Sequence, residues 1–581
     1  MNHICEQAHN CENEESAALT PVDILVIGGG VNGLAVAREA AARGWSTALV
    51  DGEDFGAGTS GTSSRLIHGG IRYLENLEFH LVRESLRERE RLLQTAPHLV
   101  KPFPLLIPFY RHNQRSGFIM RLGMFLYDVL SFDKSTPLHT SLSRTGVMEK
   151  YPGLETAGLY GAALYYDAQV ANAERLCIEQ ALDVTAFGGH VYNHRKVVGL
   201  TESAKGVDVR LTDTLTGRNL MQSAQVVVNA SGPWVDKVLS HSEEETGRLI
   251  GGTKGSHMTV GPFPGAPATG VHYEAVSDGR AILVLPLPDG NYLIGSTDIF
   301  FEGDPAEAVM SDDEVTYLLQ EVNTLIPQAH LSGSDVLHTV SGIRPLPYSP
   351  NAQSAAQVSR NHHVSTHPRI KNLFSISGGK LTTHRALGEM AMNVVEKHTR
   401  PRGTLASWRR VFRSRPGGTK NLKLPGARCA DWRQFQKDFL EHTTLPRPTA
   451  QRLLGLYGVR ARKIEELICA DPALASSLPG HNDSVGAEVV LAVREEFART
   501  LVDVVARRML LSWSDDAGLD AVDAVADICA RELQWDESRV QQEVQAYRQW
   551  IRQRRPRAYE GMSDHSSNPA TNPISTKKSE H

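Results

Sequence analysis

"VDILVIGGGVNGLAVAREAAARGWSTALVD", residues 22–51, decides the fold. An apolar run ends directly in Gly28, Gly29 and Gly30, a further glycine follows at Gly33, a small-residue helix is predicted over 34–42, and a second apolar run ends in Asp51. Strand, glycines, helix, strand and terminal acid make the βαβ fingerprint of a dinucleotide site. Gly28 permits the tight turn, Gly30 lets a pyrophosphate reach the backbone, and Gly33 lets helix and strand pack closely. The helix start offers free N–H groups and a positive dipole to phosphates. Asp51 is placed to accept hydrogen bonds from the adenosine ribose hydroxyls.

NAD and FAD both match this half. The loop that follows, "GAGTSGTSSRLIHGGIRY" at 56–73, is rich in Gly, Ser and Thr where an NAD domain would usually continue into its next helix. Many backbone and hydroxyl donors suit an extended cofactor, which leans the reading towards FAD.

Outward from this stretch, the 581 residues are 41% apolar and 22% charged with a net charge of −5, a soluble globular profile that gives no global sign of nucleic-acid binding. Such a length predicts two domains plus trimmings. The six cysteines are scattered, which predicts a reducing cytoplasm and no zinc or disulfide framework. His3, Cys5, His9 and Cys11 lie close together but read as a polar tail, so no metal is expected. There is no signal-peptide pattern and no apolar run long enough to span a bilayer. Residues 1–20 and 557–581 read as disordered tails, 21–400 as an α/β oxidoreductase part, 401–421 as a basic linker, and 422–556 as a helical domain. Within that domain Val489, Val490, Val493, Phe497, Leu501, Val504 and Val505 predict one continuous apolar stripe. The alternating Arg/Glu run at 83–91 reads as a solvated helix face.

"GTSSRLIHGGIRYLE", "VVVNASGPWVD", "TKGSHMTV", "YLIGSTD", "VSGIRPL" and "SISGGKLTTHR" stand in the order found in the FAD-dependent glycerol-3-phosphate dehydrogenases, and "AEVVLAVREEFARTLVDVVARR" resembles that family's helical domain. The resemblance implies an α/β plus α architecture of the amino-acid-oxidase type: an interleaved Rossmann-like FAD part, a substrate-binding antiparallel sheet and a C-terminal helical domain. It implies oxidation of sn-glycerol 3-phosphate to dihydroxyacetone phosphate in glycerol catabolism, with electrons passing to a membrane quinone. Cofactor contacts are expected from Gly28, Gly30, Gly33, Asp51, Thr59, Ser60, Ser64, His68 and Gly69, and from Gly378, Gly379, Leu381 and Thr382, where a second helix is predicted to start at Leu381.

That reaction needs cations for a phosphate and a group to take the C2 hydroxyl proton. Arg344 in "SGIRPL" offers a planar fork for two phosphate oxygens; the resemblance adds Arg72, Tyr73 and Lys380. His257 in "KGSHM" is the candidate base, with His68 its competitor beside the flavin ring. Three positions depart from the family pattern: Asp51 for a usual Glu, Arg65 for Lys, and His384 for Tyr.

Peripheral attachment to the inner face of a bacterial cytoplasmic membrane is also implied. Its candidates are the amphipathic stretch 110–132, flanked by Arg111, Arg115 and Arg121, and the helix after Lys380 with Arg385, Lys397 and Arg400. No DxDxDG-type calcium loop occurs. Two rivals stay open, an oxidase giving electrons to oxygen and a non-catalytic flavin sensor; a homodimer is also open.

Overall fold

Strand Val22–Ile27 is almost wholly buried because it runs through the parallel middle of a mixed sheet, whose antiparallel pairs lie at its margins, with both faces covered. The computed structural model describes residues 17–555 except 75–77, 115–116, 243–245, 352–357, 359–360, 400–414 and 416, and except the side chains of Arg72, Tyr73 and Phe118. The strand pairs in parallel with Thr47–Val50 on one side and Asn219–Asn229 on the other. His190–Tyr192 and Leu373–Ser377 extend the parallel set outwards. Helices Val31–Ala42, Ala173–Ala186 and His384–His398 cover one face, where Leu34, Ile178 and Leu387 join a core with Ile24 and Val26. Residues 17–18, assigned to the tail, pair with Leu220 and Met221, so the sheet begins before residue 21.

A second, mixed sheet stands beside the first. Strand Thr253–Val260 pairs antiparallel with both Val336–Arg344 and Tyr292–Gly295; among the described residues only the Gly270–Glu274 pairing with Val100–Tyr110 is parallel in this sheet. Helix Asp312–Leu325, started by a Ser311/Glu314 capping box, lays Val315, Leu318 and Val322 on this sheet. The C-terminal helices, from Trp432–His442 to Glu537–Arg552, enclose a separate apolar core.

Several expectations need correction. The Arg/Glu run lies in helix Phe79–Thr95, but Glu88, Arg89 and Glu90 are buried. Arg89 meets Asp167 at 2.6 Å and Glu88 meets Arg385 at 2.7 Å, so these charges are paired inside the protein. The long apolar stripe is broken after Gly486–Glu495: Phe497 has φ +63°, and Glu496 turns inward to Arg175 at 2.5 Å. The second helix starts at His384, after a turn, and not at Leu381. It packs on Val31–Ala42 through Leu387, Gly388 and Ala391, and Arg385 is bound by Glu88 and Glu389, so it is a core helix and no membrane face. Most of the expected linker and both tails fall outside the described residues, with His3, Cys5, His9, Cys11 and Arg400. Thr419, at the linker's end, donates its backbone N–H to Glu39 on Val31–Ala42 at 2.9 Å.

Candidate active site

Residues Ile27, Val50 and Asn229 end neighbouring parallel strands in register, so the turns that follow them converge on one edge of the sheet. This is where open α/β sheets bind ligands. Gly28 adopts φ +110°, and a Cβ there would lie 2.6 Å from the Ala230 carbonyl oxygen; one on Gly33 would lie 1.9 Å from that of Gly28. Only glycine fits either place. Helix Val31–Ala42 starts from Gly30 with no side-chain cap of its own, and Val31 N–H donates to Ser60 Oγ at 3.0 Å. The loop expected to face a cofactor is therefore folded over the helix start.

A cavity of about 1000 Å³ opens here. Of the expected cofactor residues, Gly28, Gly30, Asp51, Thr59, Ser60, Ser64, His68, Gly379, Leu381 and Thr382 line it. Gly33 lies behind the turn. Gly378 packs against the Asn361 carbonyl, and Gly69 is turned to Tyr127, whose hydroxyl accepts its N–H at 2.9 Å, so neither is on the cavity wall. Asp51 accepts from Gly29 N–H at 2.5 Å and Glu53 N–H at 2.8 Å. Burial raises its carboxyl to about 7, against these bonds and with a smaller push from Glu53 and Asp54. Thr382 Oγ1 accepts the His68 N–H at 3.0 Å, closing the first loop onto the second glycine turn.

The second sheet forms the facing wall. His257 lies mid-strand and is buried, and among the described residues neither ring nitrogen has a hydrogen-bond partner. Burial, with the Arg344 and Arg65 charges, lowers it to about 3, so the imidazole is neutral, the form a base needs, and in this state a weaker base than a free histidine. Arg344 ends its strand opposite Thr253. Its fork already binds Asp298 at 2.8 Å, Ser296 Oγ at 3.0 Å and the Thr297 carbonyl at 3.1 Å. A Cβ on Gly255 would collide with that guanidinium at 2.1 Å, which explains the glycine in "KGSH". Lys380 lines the same cavity. Arg72 and Tyr73 sit on the turn Ile71–Leu74, but their side chains lie outside the described residues.

Sequence reasoning missed Asn32, Thr62 and Asp298. All three line the cavity, and Asn32 Oδ1 and Thr62 Oγ1 are buried without a partner among the described residues. Asn32 had a signal, being the polar residue among the three variable positions of the glycine fingerprint. The departures resolve differently. Arg65 is buried and bidentate on Glu174, at 2.6 and 3.0 Å, a geometry lysine cannot copy. His384 is buried off the cavity wall with Nδ1 2.7 Å from the Leu381 carbonyl oxygen; burial lowers it to about 4, so Nδ1 carries a proton and donates.

Two glycine turns, a buried carboxylate at the second strand's end and orphaned polar atoms along an elongated wall fit a dinucleotide. The family model for FAD dependent oxidoreductase matches residues 23–393, and that for the C-terminal domain of alpha-glycerophosphate oxidase matches 418–540. The fold and site thus define an FAD-dependent oxidoreductase, and FAD is its cofactor. A glycerol-3-phosphate dehydrogenase of Synechocystis sp. is 40% identical over 92% of this chain and 97% of its own, and the mitochondrial glycerol-3-phosphate dehydrogenase of Bos taurus 31% over 91% and 73%. The chain belongs to the FAD-dependent glycerol-3-phosphate dehydrogenase family. Its fold matches the glycerol-3-phosphate dehydrogenase of Bacillus halodurans solved with FAD, with a TM-score of 0.74 at 24% identity over 92% of this chain and 96% of that one.

Proposed function

We propose that this chain oxidises sn-glycerol 3-phosphate to dihydroxyacetone phosphate and passes the electrons to a membrane quinone. The observation that carries the reading is the convergence, on the cavity reached by both glycine turns, of the charged Arg344 and Lys380 and a neutral His257 whose ring has no hydrogen-bond partner among the described residues. Bound FAD supplies the acceptor for the hydride that leaves C2 with its electron pair. Arg344 and Lys380, with Arg72 and Tyr73, hold the phosphate. His257 takes the C2 hydroxyl proton as the carbonyl forms, with His68 the alternative. A phosphate at Arg344 cancels part of the charge that depresses His257, so the base strengthens when substrate is seated.

Asn32, Thr62, Ser60 and the helix start of Val31–Ala42 meet the cofactor's polar groups, and Asp51 its ribose. The division at 21–400 and 422–556 separates cofactor and substrate parts from the helical domain. Membrane contact is assigned to helix Gly117–Leu130: Ile119, Leu122, Phe125 and Val129 are exposed along it, Phe132 just beyond is 77% exposed, Arg111 and Arg121 are exposed, and Arg115 lies outside the described residues. Such a face suits an interfacial helix on the inner surface of a bacterial membrane. Among the described residues no helix is long and apolar enough to cross one.

The test is anaerobic addition of sn-glycerol 3-phosphate to the purified flavoprotein. Bleaching of the visible flavin band is expected; a stable spectrum would overturn the substrate. A second reading, transfer to oxygen, is favoured by the oxidase named for the C-terminal family. Hydrogen peroxide formed in step with substrate would support it over a quinone.

A further inference from the structure

The loop bordering the cavity between Asp51 and Leu66 is gripped from behind by the C-terminal helical part. Near its start, Asp54 is buried and accepts from Arg507 Nε at 2.7 Å, from Arg508 Nη1 and Nη2 at 2.6 and 2.8 Å, and from Asn193 Nδ2 at 2.9 Å. Burial alone would raise this carboxyl, but Arg508 and Arg507 hold it far below the usual carboxylate range. Phe55 comes next. Its ring lies under Gly29, where a Cβ would approach it to 2.5 Å, and meets Phe497 edge to face at 5.8 Å. At the loop's far end, the Arg65 guanidinium lies 4.0 Å from the centre of the Trp513 ring. Asp54, His194 and Asp503 stand close enough to suggest a cation site, but Arg507 already bonds both acids and Arg508 bonds Asp54. The cluster is a charge lock, complete in protein side chains.

Between these anchors the loop is mostly Gly, Ser and Thr, which bring little apolar surface to order themselves. Its order is imposed from outside. We propose that Asp54, Arg508 and Trp513 are positioning residues for the cofactor, through which the helical domain fixes the 51–65 loop in its FAD-receiving shape and so sets FAD affinity. Preorganisation of this kind raises affinity by removing the cost of ordering on binding. The proposal rests on the cavity being the FAD site.

The test is titration of the flavin-free apoprotein with FAD, followed by flavin fluorescence, beside thermal unfolding. Trp513→Leu should weaken FAD binding by roughly two- to thirtyfold, the range of a cation–π contact, and Trp513→Phe should recover most of it. Arg508→Lys, which cannot keep the bidentate fork, should weaken it at least as much. Leu453→Ala, in the helical core away from the loop, should lower Tm yet leave FAD affinity within about twofold. Unchanged affinity in both Trp513→Leu and Arg508→Lys would overturn the proposal, as would an equal loss in Leu453→Ala. Failure of the unaltered apoprotein to take up FAD would overturn the cofactor site itself, and the proposal with it.

Discussion

The two walls of the cavity are built by opposite means. The first-sheet wall is backbone: glycine turns, a helix start and a few hydroxyls, with Asn32 Oδ1 and Thr62 Oγ1 lacking a partner among the described residues. The second-sheet wall is side chain: an arginine already held by a carboxylate, and a histidine whose ring nitrogens have no hydrogen-bond partner among the described residues. A wall of backbone recognises shape and phosphate by proximity and fails all at once when a methyl group is added. A wall of side chains tunes charge and fails by degrees.

The largest expected effect therefore lies on the first wall. Gly33→Ala pushes a methyl to 1.9 Å from the Gly28 carbonyl oxygen, an overpacking of roughly 3 kcal/mol or more, and the purified variant should carry no flavin absorbance. On the second wall, His257→Gln should keep FAD but slow anaerobic flavin reduction by about 10²–10⁴-fold, while near-normal turnover would pass the base to His68. Arg344→Ala should reduce kcat/KM by about ten- to a hundredfold, worth ~1.5–3 kcal/mol. Asp298→Asn, which keeps an acceptor for the guanidinium but removes a charge competing with phosphate, should instead lower KM a few-fold. If both variants raise KM alike, the fork is structural and the contrast between the walls collapses.

The most graded effect is a pH dependence. Ribose hydroxyls bond the ionised Asp51 better than its acid, and burial places that ionisation near 7 in the cofactor-free protein. FAD affinity should rise with pH up to about 7, by at most about tenfold per unit, then level off. For folding the sign is opposite: a carboxyl raised from 3.8 binds its proton more tightly when folded, so its contribution to stability falls between about 4 and 7. Asp51→Asn should flatten both profiles, measured by apoprotein titration and by Tm.

The first wall was legible in the sequence because its logic is local: four glycines and an acid within 24 residues carry the whole turn. The second was legible only in part. His257 and Arg344 stand in recognisable short motifs, but nothing near Arg344 announces that Asp298, 46 residues earlier, would bind it. Distance in the chain also explains the misread helix at 79–95. Arg89 and Glu88 read as solvated because their partners, Asp167 and Arg385, lie 78 and 297 residues away. Likewise the apolar period at 486–508 was real, and what interrupts it is a buried Glu496 whose partner Arg175 lies 321 residues earlier. Periodicity records which residues are apolar, not where a paired charge will interrupt the helix they share.

The lock on Asp54 also imposes an order on synthesis. Arg507 follows it by 453 residues, so a ribosome finishes the glycine turn long before it makes the residues that steady the neighbouring loop. On the positioning role proposed above, a nascent or truncated chain holds the nucleotide fingerprint without a firm grip on the nucleotide. Flavin retention then becomes a mark of a finished chain, and the yellow colour of a preparation counts the molecules whose last helices are in place.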